Sequence, residues 1–343
     1  MHLSFSTYQL RFKHPFGVSS NTRSETTSVF IKLQVDELVG YGEACLPPYL
    51  GETEAQTLQF FKKAADFLKP YEPLLPAKFF LDAIDQLAPG CHAAKAALDI
   101  AIHDLYAKIA GLPYGAMMGV DPPVLVPTSV TIGIDSDEKL AIKIEEAKEF
   151  PILKIKAGTA DDKKLISTIR RYTDKPLYVD VNQGWTDKHQ VLEQLHWMAE
   201  QNILLVEQPM PVHMVEEMRW VTEQSPLPTM ADESVKRLSD LQSMDEAFTG
   251  INIKLMKSTG LREALKMIHY CKKNKLQVML GCMAESSCAT TAMAHLAGLA
   301  DFVDLDAPLL YTNDPFEGVL YQDGQIVLPR ANGIGVELKQ ALW

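Results

Sequence analysis

The 343-residue sequence has no apolar run near the roughly 20 residues that a membrane-spanning helix needs, so a helical membrane protein is excluded. Cysteine is scarce: five residues, an odd number in no regular spacing and mostly in apolar context, which argues for reduced buried thiols over a disulfide framework. Basic charge is also short, with 33 Lys and Arg against 44 Asp and Glu. The net charge of −11 excludes nucleic acid and anionic membrane surfaces as partners. It leaves open a local cationic pocket for a small molecule. Met1-His2-Leu3-Ser4-Phe5 has no basic stretch followed by an apolar one, so a cytoplasmic location is expected.

The chain does have apolar residues, 47% of the total, and a regular pattern of short runs. Leu153-Lys154-Ile155-Lys156, Tyr178-Val179-Asp180-Val181-Asn182, Leu205-Val206-Glu207, Met230-Ala231-Asp232-Glu233, Ile251-Asn252-Ile253-Lys254, Val278-Met279-Leu280 and Phe302-Val303-Asp304-Leu305-Asp306 recur about every 25 residues, the length of a buried parallel strand plus its crossover helix. With Val126 to Ile132 as a first strand, these predict a (β/α)7β modified TIM barrel over residues 121–310. Helices are expected at Asp137 to Phe150, Asp161 to Tyr172 and Lys188 to Gln201.

Residues 1–120 read differently. Phe5 to Phe12, Val29 to Val35 and Val39 to Glu43 predict an antiparallel meander. Helices are expected at Glu54 to Leu68, capped by Thr53, at Phe79 to Leu87 and at Cys91 to Ala110, closed by Gly111-Leu112-Pro113. Asp121-Pro122-Pro123 is read as the linker. Residues 311–343 return to hairpin alternation about Gln322-Asp323-Gly324-Gln325, a tail expected to rejoin this α+β capping domain.

Most of the barrel runs end in a charged residue, and the C-terminal rim of such a barrel is where chemistry sits. Asp180, Glu207 and Asp232 fall on three consecutive strand tips. Such an acidic cluster is costly without a cation, and an all-oxygen set without His or Cys points to Mg²⁺, with Mn²⁺ as a substitute. Strand alternation makes Lys154 and Lys156 face the same way, as do Asp180 and Asn182 on the next strand. Lys156 precedes the acids and Lys254 follows them, so a barrel sets them facing each other. Lys154 and the metal would lower the Lys156 value enough for it to act as a base. Lys163, Lys164 and Lys257 are read as solvated lysines or counter-ions. Two lysines on opposite faces of a metal-bound carboxylate suit removal of an α-proton from one face and its return to the other, which inverts the carbon.

In these motifs the chain resembles the enolase superfamily, in its muconate-lactonizing-enzyme subgroup, and within it the dipeptide epimerases typified by L-Ala-D/L-Glu epimerases. A lysine base with Mg²⁺ is a stock description of enolase-superfamily sites. The resemblance implies Lys154-Ile155-Lys156 as the Lys-x-Lys with Lys156 as acid/base, Asp180, Glu207 and Asp232 as metal ligands supported by Asn182 and Glu233, and Lys254 as the opposite-face lysine, with Lys257 a weaker alternative. It also implies that Asp304 and Asp306 pair with the ammonium of a dipeptide substrate. Cycloisomerisation, o-succinylbenzoate synthesis and acid-sugar dehydration use the same enediolate and stay open as alternatives, but their substrates lack the ammonium.

For the second residue of the dipeptide, the resemblance implies an Arg in the loop after the first strand. Here Asn21 stands at that place and Arg23 lies just beyond, which leaves room for Glu and for neutral or hydrophobic residues. Tyr49, in the other lid loop, and Met283 with Glu285, at the tip of strand seven, are expected to complete the pocket, with Glu285 favouring a cationic group. A homo-oligomer is also implied.

Overall fold

The computed structural model describes residues 1–18, 21–120, 125–244 and 246–343, without the side chains of 16–18, 21, 22 and 49. The linker reading at Asp121-Pro122-Pro123, and the side chains of Asn21 and Tyr49, lie outside the described part.

Strands β1 (His2–Val18), β2 (Asn21–Val35) and β3 (Leu38–Cys45) form an antiparallel sheet in that order, the expected meander with a longer first hairpin. Helix α1 (Glu54–Leu68) opens with a capping box between Thr53 and Gln56, and α2 spans Ala77–Gln86. Helix α3 (His92–Ala110) is buried on every face, because it lies between this sheet and the barrel. Its alanines allow that close packing, and so do two glycines of β3. A Cβ on Gly40 would stand 2.1 Å from the Ala101 carbonyl, and one on Gly42 would stand 2.0 Å from that of Ala97.

The eight barrel strands are Ser129–Ile132, Ile152–Lys156, Leu177–Asp180, Ile203–Glu207, Thr229–Ala231, Gly250–Ile253, Gln277–Gly281 and Phe302–Asp304. They pair in parallel in chain order in one eight-stranded sheet. Helices follow the first seven strands, and only a short 3₁₀ turn, Ala307–Leu310, follows the eighth. The architecture is therefore a modified TIM barrel with an α+β cap. Tyr178, Leu205, Met230 and Met279 fill the bottom of the barrel. Period-two alternation then lifts Asp180, Glu207 and Asp232 into the next layer up.

Strand one departs from expectation. Val126–Pro127 pairs antiparallel with Gln325–Ile326 of the tail hairpin, and only Ser129–Ile132 belongs to the barrel. Pro127 has no N–H with which to extend a ladder, so the run breaks there. Strands one and eight are stitched by side chains: Leu305 N–H donates to Thr128 Oγ1 at 2.9 Å, Ser129 Oγ donates to Asp304 at 2.7 Å and Thr131 N–H donates to Asp306 at 2.5 Å. The tail hairpin Leu320–Gln322/Gln325–Val327 turns where expected. Phe316 packs on Phe30 and Tyr41 of the cap, at 5.2 and 5.3 Å between ring centroids.

Candidate active site

A cavity of about 460 Å³ opens at the C-terminal rim of the barrel. Its barrel wall includes Lys154, Lys156, Asn182, Asp232, Glu233, Lys254, Met283, Asp304 and Asp306, and the cap contributes Phe12, Arg23 and Leu50. The short strands end together at this rim, so residues far apart in the chain converge there.

Asp180, Glu207 and Asp232 are fully or almost fully buried, and each offers a ligand oxygen within 4.8 Å of the others. Lys254 Nζ donates to Asp232 Oδ2 at 2.7 Å, and Lys156 Nζ donates to Asp180 Oδ2 at 2.6 Å. The two lysines come from barrel strands two and six, opposite each other in a ring of eight. Glu207 accepts from Asn252 Nδ2 at 2.7 Å, and its other oxygen has no aligned donor among the described residues although the Lys154 ammonium is 2.7 Å away. Three converging carboxylates, one with an open lone pair and none accompanied by His or Cys, fit a hard divalent cation such as Mg²⁺.

Burial acts to raise the Asp232 carboxyl, but Lys254 and Lys257 beside it hold it far below the usual carboxylate range. Burial also opposes ionisation of Asp180, yet Lys156, Lys154 and Lys254 keep its value low. Glu207 goes the other way, raised by burial and by the charge of Asp180.

Lys154 is buried, at 2% exposure. Its ammonium sits 2.7 Å from Asp304, 2.7 Å from Glu207 and 3.4 Å from Asp180. Burial works to lower it, but these carboxylates hold it well above the ordinary lysine value. It is a permanent cation that ties the metal-type acids to strand eight. Lys257, read from sequence as a solvated lysine or a counter-ion to the acids, is the second of these: it is buried and donates to the Asp232 side chain and, at 2.5 Å, to its carbonyl. The short helix Leu255–Ser258 turns the chain back so that Lys257 reaches inward.

Asp304 and Asp306 both face the cavity. Burial first, and then Asp304, push Asp306 up to about 6. Arg23 lines the roof with its guanidinium carbon 5.7 Å from the Phe12 ring centroid. Asn182 donates to Glu233 at 3.4 Å, and burial, Asp232 and Asp180 push Glu233 up to about 7. Glu285 lies beneath the wall made by Cys282, Met283 and Ala284, at 1% exposure, with Oε1 accepting the Met283 N–H at 3.2 Å. Burial and Glu43 push it up to about 8, so at neutral pH it is mainly uncharged and offers no fixed anion to a cationic substrate.

Sequence reasoning missed Asn252 and Gln208. Asn252 precedes Lys254 by one strand period, a signal that puts both on one face. Gln208 accepts the N–H groups of Asp232 and Ser234 at 3.0 and 3.1 Å and donates to Met210 O and Ser234 Oγ at 2.9 and 2.8 Å, which locks the loop carrying Asp232.

Comparison with known proteins agrees with this geometry. Residues 4–119 match the mandelate racemase / muconate lactonizing enzyme N-terminal domain, and residues 138–342 match the enolase C-terminal domain-like family. The chain is 44% identical to an L-Ala-D/L-Glu epimerase of Bacteroides thetaiotaomicron, over 98% of its own length and 88% of that protein's. Among solved structures, a dipeptide epimerase from Cytophaga hutchinsonii complexed with Mg and D-Ala-L-Val superposes with a TM-score of 0.92 at 28% identity, covering 99% of this chain and 96% of that one. A substrate-liganded L-Ala-D/L-Glu epimerase from Bacillus subtilis gives 0.90 at 30% identity, covering 98% of each chain. The chain belongs to the enolase superfamily, in the branch that joins a mandelate racemase / muconate lactonizing enzyme N-terminal domain to an enolase-type barrel.

Proposed function

We propose that this protein is a Mg²⁺-dependent dipeptide epimerase that inverts the α-carbon of the C-terminal residue of an L-Ala-Xaa substrate. The observation that carries this reading is the placement of Lys156 and Lys254 on opposite strands, each held by a carboxylate of the triad, in a cavity that also presents Asp304 and Asp306. The epimerase names of the relatives support it.

Asp180, Glu207 and Asp232 would hold the cation, with Asn252 and Lys154 orienting Glu207. When bound, Mg²⁺ supplies positive charge beside the substrate carboxylate, where negative charge builds as the α-proton leaves. The chain's own groups do the rest. Asp304 and Asp306 take the substrate ammonium and fix which carbon lies between the lysines. One of Lys156 and Lys254, in its neutral form, accepts the α-proton at Nζ, and the other, as an ammonium, delivers a proton to the opposite face. The cap residues Phe12, Arg23 and Leu50 close over the cavity and meet the second side chain.

The test is ¹H NMR in D₂O with Mg²⁺ on L-Ala-L-Glu, L-Ala-L-Leu and L-Ala-L-Lys. Loss of one α-proton signal with appearance of a second diastereomer is expected. Lys156→Ala and Lys254→Ala should each abolish inversion, and one of them should keep exchange from a single epimer. Exchange without a new diastereomer in the native protein would refute two-face transfer, and no exchange with metal bound would refute the epimerase reading.

A further inference from the structure

The cavity carries more positive charge than the two ends of a dipeptide account for. On the reading above, Asp304 and Asp306 meet the ammonium, and the triad with its cation meets the carboxylate. Lys154, Lys156, Lys254 and Lys257 are each held by buried carboxylates of the barrel. Lys236 differs from them. It stands on the loop that follows Asp232, lines the same cavity and is exposed, and its ammonium forms no ion pair among the described residues.

The base from which this side chain extends is rigid. The backbone N–H groups of Lys236 and Arg237 both donate to Asp240 Oδ2 at 2.9 Å. The Arg237 guanidinium bridges Asp85 of the cap at 3.1 Å and Glu263 of the barrel at 3.4 Å. Burial, and after the opposing charge of Glu52 those of Arg237 and Lys236, lower the His92 imidazole at the start of α3. Lys236 therefore stands at the seam between barrel rim and cap. Glu233, on the same loop, is engaged by Asn182. A cation so placed, in a cavity whose roof holds Arg23, is available to a third substrate charge, provided that charge is negative.

We propose that Lys236 is a specificity residue that acts with Arg23 to select dipeptides whose epimerised residue carries an acidic side chain. This inference rests on the dipeptide-epimerase reading. The lysine works from the barrel side and the arginine from the cap, so an anionic side chain bound between them helps hold the cap against the barrel.

The experiment compares kcat/KM for L-Ala-L-Glu with that for L-Ala-L-Gln, which has nearly the same shape without the charge. Native protein and the variants Lys236→Met, Lys236→Arg and Lys236→Glu are assayed with Mg²⁺ at low and high salt. In Lys236→Met the Glu-to-Gln ratio should fall roughly three- to fivefold, the size expected of a solvent-accessible ion pair, and the loss should appear in KM for Glu. Lys236→Arg should restore the ratio, Lys236→Glu should lower it further, and added salt should shrink every difference. An unchanged ratio in Lys236→Met, or equal losses on both substrates, overturns the assignment of Lys236. If native protein inverts Gln and Glu dipeptides with the ratio flat across the series, only this inference falls. If native protein exchanges no dipeptide α-proton, the epimerase reading falls as well.

Discussion

Replacing Lys154 by methionine keeps the length of the side chain and removes one buried cation. Three carboxylates then lose a partner, but not equally. Asp180 keeps Lys156 at 2.6 Å, and Glu207 keeps Asn252 at 2.7 Å and Lys254 at 3.7 Å. Asp304 keeps only the Ser129 hydroxyl at 2.7 Å among its side-chain partners in the described residues. Breaking a buried pair from one side costs about 3–5 kcal/mol. At about 2.1 cal/mol/K per residue, the unfolding entropy of a 343-residue chain is roughly 0.7 kcal/mol/K, so the melting temperature should fall by about 4–7 °C. The folded value of Lys154 is raised, so its contribution is complete below the unfolded lysine value and is lost only as pH climbs towards the folded one. The difference between variant and native protein should therefore be flat from about pH 6 to 9. The assay is thermal unfolding by calorimetry, with and without Mg²⁺. A bound cation at Asp180 and Glu207 offsets part of the lost charge, so Mg²⁺ should raise the variant's melting temperature more than the native protein's. Adding Asp304→Asn to Lys154→Met should recover stability. A fall below about 1 °C, or a second substitution that adds to the loss instead of relieving it, would refute the idea that Lys154 neutralises these acids.

Asn252→Leu removes the donor that orients Glu207, and Mg²⁺ affinity measured by titration calorimetry should drop about 10- to 100-fold; an unchanged affinity would show that Glu207 needs no orienting partner. Glu285 is raised to about 8, so the unfolded chain releases its proton first and native stability must decline as pH climbs from the ordinary carboxylate value towards 8. Glu285→Gln should flatten that decline by about 1.4 kcal/mol per pH unit, read from denaturant titrations at pH 5, 6, 7 and 8. Asp306 is raised to about 6, so KM for a free dipeptide should climb as pH drops through 6, whereas Asp306→Asn should raise KM about tenfold and erase that dependence. A pH-independent KM in the native protein would count against an ammonium contact at Asp306.

Much of this could be read in the sequence for a simple reason. Parallel strands buried on both faces read as unbroken apolar runs, and side chains alternate along them, so a charge at the end of each run has only one place to go. That logic puts Asp180, Glu207 and Asp232 side by side, and the structure brings them together. It fails where position depends on something other than alternation. Pro127 splits the first strand because it lacks a donor, and the pairing of Val126 with Ile326 depends on a hairpin from the far end of the chain. Lys257 lies past its apolar run and returns only because Leu255–Ser258 coils into a turn of helix. The partners of Lys154 are set by strand eight, and no local pattern announces an ion pair between residues so distant in sequence. Glu285 follows its strand closely enough to look like a rim residue, but the loop folds it beneath Met283.

The stitching between the first and last strands has a consequence for how this protein can change. Asp304 and Asp306 accept hydrogen bonds from Ser129 and Thr131 on one side and face the cavity on the other. On the dipeptide-epimerase reading, the residues that shut the cylinder are thus also the ones offered to the substrate ammonium. A chain drifting towards a ligand with no amino group would have to alter this pair, and would loosen its own closure in doing so. Conversely, a guest that engages both acids draws the two ends of the sheet together, so occupancy should slow amide exchange at Thr131 and Leu305 before it slows exchange elsewhere in the barrel.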